Sequence, residues 1–270
     1  MKSCLFAALL ITLSLFLYSI PPFSHTAHGA DLTDVDEIIQ KSNLAAYYAG
    51  EDGRSAVSMT ITDAQGRVRE REFIILRKDV AEGGPQKFYV YFKKPSDVRK
   101  MVFMVHKFLD RDDDRWLYLP ALDLVKRIAA SDKRTSFVGS HFFYEDVSGR
   151  SPDEDVHELI ETTEMRYVLK NTPKDPDSVE FSEYTVWVDK QNFLPVKAIY
   201  TDKQGRACRE VEALEIKDIN GIPTVVRSRV KDLITGGETV AAFNKVEYDI
   251  GLKDKLFSER YLRRPPREAR

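Results

Sequence analysis

From Ser55 to Tyr248 the chain is a near-continuous succession of short segments in which apolar and polar residues alternate, each ending in a turn. No other feature constrains the fold as strongly. Alternation at a period of two puts one set of side chains on each face of a strand. Ser55–Thr62 shows it cleanly, with Val57, Met59 and Ile61 on one face and Ser58, Thr60 and Thr62 on the other. The turns are short, as at Asp63-Ala64-Gln65-Gly66, Lys94-Pro95-Ser96-Asp97 and Asn220-Gly221-Ile222-Pro223. Strands this close leave no room for crossover helices, so the sheet is predicted to be mainly antiparallel.

Further strands are read at Arg67–Lys78, Lys87–Lys93, Met101–Leu109, Arg115–Leu119 and Asp123–Ile128. After a polar bend from Gly149 to Asp155 they resume at Val156–Glu161, Arg166–Lys170, Glu180–Val188, Leu194–Thr201, Arg206–Ile216, Thr224–Asp232 and Thr239–Tyr248. The expected class is mainly β, in the α+β sense, with about eleven strands in one strongly curved sheet, since so many strands do not lie flat. One helix is expected at Asp31–Tyr48, capped by Thr33 or Asp31, with Val35, Ile38 and Ile39 near helical spacing. Phe142–Val147 reads as a helical turn. A bent sheet plugged by a helix encloses an apolar hollow. Residues 31–252 form one domain in this reading. Residues 253–270, with Pro265-Pro266 and many arginines, are expected to be a frayed, flexible tail.

The first thirty residues read as a separate unit. Lys2 precedes an apolar run from Leu5 to Ile20, no charge follows until Asp31, and Ala27, Gly29 and Ala30 supply small residues. This is the layout of a secretory signal peptide at 1–30, cleaved after Gly29 or Ala30, and the run is short for a spanning helix. The alternative is an uncleaved anchor. Cys4 lies before the apolar core, where it cannot serve as a lipidation cysteine. Without the leader Cys208 is alone, so no intramolecular disulfide forms and the fold rests on burial and sheet hydrogen bonds. Cys208 itself is expected to be a bland, buried thiol.

Charge narrows the partners. The chain has 41 Lys+Arg against 43 Asp+Glu, and a slightly acidic protein is a poor partner for nucleic acid. A small basic group, Lys126, Arg127, Lys133 and Arg134, reads as a solvated face, with contact to anionic headgroups or an acidic partner as the alternative.

Catalytic and metal patterns fail one by one. Asp110-Arg111-Asp112-Asp113-Asp114 lacks the Gly and the distal acid of a calcium loop, since Arg115 and Ala121 stand there. His106, His141 and His157 form no ligand pair, although His141 with Glu145 and Asp146 would meet if helical. Gly139-Ser140 lacks the second Gly of a nucleophile elbow, and no phosphate or dinucleotide loop is present. The expectation is no enzyme, no cofactor and no metal.

The region from Trp116 carries a resemblance. Asp114-Arg115-Trp116-Leu117-Tyr118-Leu119-Pro120-Ala121-Leu122, Val125-Lys126-Arg127-Ile128, Ser136-Phe137-Val138-Gly139-Ser140 and Phe143-Tyr144-Glu145-Asp146-Val147 resemble the outer-membrane lipoprotein-sorting protein family, the periplasmic relatives of the LolA and LolB carriers. Phe92-Lys93-Lys94-Pro95, Trp187-Val188-Asp189, Leu194-Pro195 and Asn220-Gly221-Ile222-Pro223 fit as well, so the likeness covers about Ser55 to Tyr248. The resemblance implies an incomplete β-barrel with a helical lid and an apolar interior that receives acyl chains. It implies a periplasmic carrier of lipoprotein acyl chains or lipid, or else an accessory protein of an inner-membrane lipid exporter that holds no lipid itself. Candidate cavity residues are Val57, Met59, Ile61, Phe73, Ile75, Phe88, Val90, Phe92, Phe103, Trp116, Tyr118 and Trp187. Core packing is the competing reading for each of them.

Overall fold

The computed structural model describes residues 31–270, so the signal-peptide reading of 1–30 lies outside the described residues. Helix α1 (Val35–Tyr47) comes first. The cap is Asp34, the residue directly before the helix, and not Thr33 or Asp31; its carboxylate accepts from the Asp36 and Glu37 amides at 3.0 and 3.3 Å.

A first meander follows: β1 (Asp52–Asp63), β2 (Val68–Asp79), β3 (Gln86–Lys94), β4 (Val102–Lys107), β5 (Asp114–Leu119) and β6 (Leu124–Ile128). A short helix α2 (Tyr144–Ser148) lies in the connection to a second meander. That meander comprises β7 (Asp155–Thr162), β8 (Arg166–Pro173), β9 (Phe181–Asp189), β10 (Pro195–Asp202), β11 (Ala207–Ile219), β12 (Ile222–Asp232) and β13 (Gly237–Tyr248), and a last turn of helix is α3 (Arg260–Arg263). The helical turn read near Phe142–Val147 is α2.

All strands join one antiparallel sheet of 13, in the order β6-β5-β4-β3-β2-β1-β13-β12-β11-β10-β9-β8-β7. The chain starts in the middle at β1, walks out to one edge at β6, crosses to the other edge at β7, and walks back to pair β13 with β1. The sheet is curved and open, an incomplete barrel. The crossover from Ala129 to Glu154 is the only covalent link between its two edges. Together with α1 it covers the inner face as a helical lid.

Strand parity assigns the faces. Val57, Met59, Phe73, Phe88, Val90, Phe92, Phe103 and Leu117 form a buried inner cluster with Phe137 and Tyr144 of the crossover. Ile38 of α1 packs on Tyr167, Leu169 and Val188 at the inner face of the second meander. The outer face of the first meander is also apolar, and Ile74, Leu76, Tyr89, Met104 and Trp116 are buried there.

Residues 253–270 cover that outer face, which corrects the expectation of a frayed tail. Leu256, Phe257, Leu262 and Ala269 are almost fully buried against it. Polar ties hold the backbone down: the buried Asp52 carboxylate accepts from the Ile250 and Leu252 amides at 2.8 and 2.6 Å. Tyr89 donates to the Tyr261 carbonyl at 2.7 Å, and the His106 ring meets the Phe257 carbonyl at 2.7 Å. The arginines that suggested disorder lie on the solvent side of this strap, while Pro266 and its spaced apolar residues are buried. Phe257→Ala is therefore expected to lower stability by about 3–5 kcal/mol, read as a shift of the urea midpoint; a disordered tail would give no shift.

Candidate functional site

Where β1, β2, β3 and β13 meet α1 and the crossover, the inner face leaves a cavity of about 350 Å³. Its floor is apolar: Val57 and Met59 from β1, Phe73 and Ile75 from β2, Phe88 and Val90 from β3, Ala241 and Phe243 from β13. Its roof is Ala45, Ala46 and Tyr47 of α1 with Phe137, Phe142 and Val147 of the crossover. The lining reaches the end of the sheet where β1 begins and β13 ends, at Gly53, Thr224 and Tyr248.

Six of the candidate residues thus come together at the cavity: Val57, Met59, Phe73, Ile75, Phe88 and Val90. Ile61, Phe92 and Phe103 belong to the same inner cluster but do not line the hollow. Phe137 fills the space above two of them, with ring centroids 5.7 Å from Phe92 and 5.6 Å from Phe103. Trp116 and Tyr118 do not line it either; they face outward under the C-terminal strap. Trp187 also falls outside the lining, on β9, with the Lys197 amine 5.8 Å from its ring. Alternation gave the two faces of each strand but not which one is inward, because both faces of β4 and β5 are apolar.

Arg77, which no local motif marked, lines the cavity and fixes α1. Its guanidinium donates to the carbonyls of Tyr47, Ala49 and Gly50, the last two at 2.5 and 2.6 Å. The Gln86 amide donates to the same Tyr47 carbonyl at 2.8 Å. The last turn of α1 has no basic residue of its own, so Arg77 brings from β2 the positive charge that a helix C-terminus favours. Gly149 closes the other side: a Cβ there would fall 2.5 Å from the Tyr47 ring, and its φ of +77° suits glycine.

The crossover is held to the two meanders by different chemistry. Towards the first it is mainly apolar and aromatic, through Phe137 and Tyr144, whose centroids lie 5.5 Å apart, with the Tyr144 ring 5.0 Å from Phe103; polar ties from Lys107 to the Ser148 carbonyl at 2.8 Å and from Arg69 to the Gly139 carbonyl at 3.1 Å add to it. Towards the second it is ionic. Arg134 donates to Glu145 at 2.5 Å and spans both oxygens of Glu180 at 2.7 and 2.6 Å. Arg150 spans both oxygens of Asp155, each at 2.9 Å, and donates to Glu154 at 2.6 Å. Arg209 on β11 reaches Asp146 at 2.5 Å, and Lys133 reaches Glu145 and Glu154 at 3.2 and 2.8 Å. The arginines lie over rings: Arg134 and Arg150 against Phe181, Arg209 against Tyr200 and Phe143.

This network revises the solvated basic face read from the sequence. Arg134 and Lys133 are partly buried, with 7% and 14% of their side chains exposed, and only Lys126 and Arg127 of the four are exposed. It also accounts for His141, Glu145 and Asp146. Both acids pair with cations, and His141 bonds the Thr239 hydroxyl at 2.8 Å.

Burial works to raise the Glu145 carboxyl, but Arg134, Lys133 and Arg150 outweigh it and hold its pKa below the ordinary range. A group with a depressed folded pKa contributes stability above its unfolded pKa and loses it as pH falls through the folded value. Glu145→Gln leaves buried cations uncompensated and is expected to cost about 3–5 kcal/mol near neutral pH. The gap between variant and parent should close as pH falls below the carboxylate range, where the parent's Glu145 is protonated too. Denaturation curves across acid pH measure this, and a pH-independent difference would count against the network.

A family model described as "Uncharacterized protein" matches residues 84–264. No curated protein matches the chain. Among solved structures, a DUF1329 family protein from Desulfovibrio piger is 31% identical, with a TM-score of 0.76 over 84% of this chain and 96% of that one. A putative outer membrane lipoprotein-sorting protein domain from Vibrio parahaemolyticus is 26% identical, with a TM-score of 0.78 over 85% of this chain and 98% of that one. A LolA superfamily protein from Nitrosomonas europaea shares the fold at 19% identity, with a TM-score of 0.66 over 85% of this chain and 100% of that one. With its open sheet, its crossover lid and a 31% identical relative matched over nearly the whole described chain, the protein belongs to the DUF1329 family, whose fold it shares with the lipoprotein-sorting domain and the LolA superfamily protein.

Proposed function

We propose that this protein is a periplasmic carrier that takes an acyl chain of a lipoprotein, or a lipid, into the cavity under its lid. The observation that carries the reading is the cavity itself. It is walled by Val57, Met59, Phe73, Phe88 and Phe243, roofed by α1 and the crossover, and holds about 350 Å³, within the range of roughly 300–1,000 Å³ seen for small-molecule sites. A hydrocarbon chain suits such walls, because burial contributes about 0.8 kcal/mol per CH₂ and needs no ion pair.

The mechanism is reversible burial without bond making. Residues 1–30, with their leader-like pattern, would deliver the chain to the periplasm. Cargo enters when the roof lifts. Two attachments resist lifting: the Arg77 clasp on α1 and the aromatic contacts of Phe137. Phe137 sits where additional chain would lie, so the roof exchanges one apolar partner for another at small net cost.

Lipid extraction of protein purified from its native host is expected to yield lipid in stoichiometric amount. The emptied protein is expected to bind a fluorescent fatty acid. Ala46→Phe, which fills the roof side of the hollow, should weaken that binding about tenfold or more while leaving the fold intact by circular dichroism. A protein that carries no lipid and takes up no fatty acid would overturn the carrier reading and leave the accessory role at an exporter.

A further inference from the structure

We propose that the end of the sheet formed by the β3–β4 loop, the β5–β6 turn and α3 docks on an anionic phospholipid surface. This goes beyond the carrier reading, because it concerns a surface remote from the cavity and stands whether or not the cavity holds lipid.

Strand direction places these pieces together. β3 ends, β4 begins, β5 ends and β6 begins at one end of the sheet, and neighbouring strands are about 4.8 Å apart. α3 lies against β4 and β5, and Arg263 joins it to the turn by donating to the Asp123 carboxylate at 2.9 Å and its carbonyl at 3.3 Å. Lys93, Arg99, Lys100, Lys126, Arg260 and Arg264 are exposed here. None of them makes an ion pair among the described residues. Within 93–100, 120–127 and 260–264 the acids are Asp97 and Asp123, and each is already engaged, with Arg71 at 3.2 Å and Arg263 at 2.9 Å. The chain as a whole is slightly acidic, at −2, whereas this end is locally positive, with the exposed Glu259 at the start of α3 set against these six cations.

An apolar tip projects among these cations. Leu122 is 70% exposed and Leu124 is 46% exposed, and the former is the most exposed large hydrophobic residue among those described. The turn that carries them is held in place: Asp123 takes a left-handed φ of 46°, and its carboxylate accepts from Tyr118 as well as Arg263. A fixed leucine tip ringed by free Lys and Arg matches a bilayer surface, where cations meet phosphates and a short apolar tip enters below them. An acidic protein would meet the charge but gives no reason for the leucines. The cavity lining reaches the opposite end of the sheet, at Gly53 and Tyr248, so docking turns that end away from the bilayer.

Flotation of the mature protein with vesicles tests this. Binding is expected to phosphatidylethanolamine–phosphatidylglycerol vesicles, and little to phosphatidylethanolamine–phosphatidylcholine vesicles. It should fall as salt rises. The combined Lys93→Gln, Arg99→Gln, Lys126→Gln and Arg260→Gln variant should bind at least about tenfold more weakly. Leu122→Ser should weaken binding too, without a change in thermal midpoint. No binding to the anionic vesicles, equal binding to both kinds, or variants that bind like the parent would each overturn the proposal.

Discussion

An open antiparallel sheet of 13 strands has an exposed concavity and two bare edges, and both invite self-association unless they are managed. The crossover from Ala129 to Glu154 answers the first need directly. It lies in the concavity and buries Phe137 to 2% exposure against four aromatic neighbours. The edges are handled by composition. β6 is short and carries Lys126 and Arg127, and β7 carries Glu158 and Glu161 and a bulge near Leu159. The remaining features of the molecule follow from how that one segment is seated.

Its two attachments differ in physical kind, and the difference locates the cavity. The ionic side, from Arg134 and Arg150 to Glu180 and Asp155, is directional and depends on each partner, since a buried charge that loses its counter-ion is costly. The aromatic side depends on area and tolerates substitution of one apolar surface for another. The hollow lies on the aromatic side. An arrangement of this sort keeps the lid registered on the second meander while the interior of the first remains adaptable. Arg77 plays the equivalent registering part for α1, through backbone carbonyls that no side-chain change in the helix can remove.

Much of this was readable in the sequence, and the gaps have definite causes. Every segment read as a strand became one, and the sheet holds 13 strands where about eleven were expected. The curl and the enclosed hollow followed from strand number. The inward side of β5 was not readable, because Trp116 and Leu117 are both apolar and only the position of the C-terminal strap decides between them. The strap was itself missed: its buried residues, Leu256, Phe257, Leu262 and Ala269, are sparse among charges, and periodicity cannot register contacts made singly. The ionic seat of the lid joins Arg134 to Glu180 and Asp146 to Arg209, far apart along the chain, and no local spacing encodes such pairs. Of the cavity wall, the strand residues were legible from alternation. The alanines of α1 were not, since a small side chain carries no signal of what it makes room for.

The topology also sets a mechanical limit. Because the crossover is continuous with both β6 and β7, it acts as a tether of fixed contour between the rims. The rims part only as far as slack in that tether permits, and slack appears only when Phe137 or the arginine seat lets go. In the proposed carrier, girth and gating would therefore be one coordinate: a bulky guest that widened the half-barrel would, by the same displacement, pull its own roof loose.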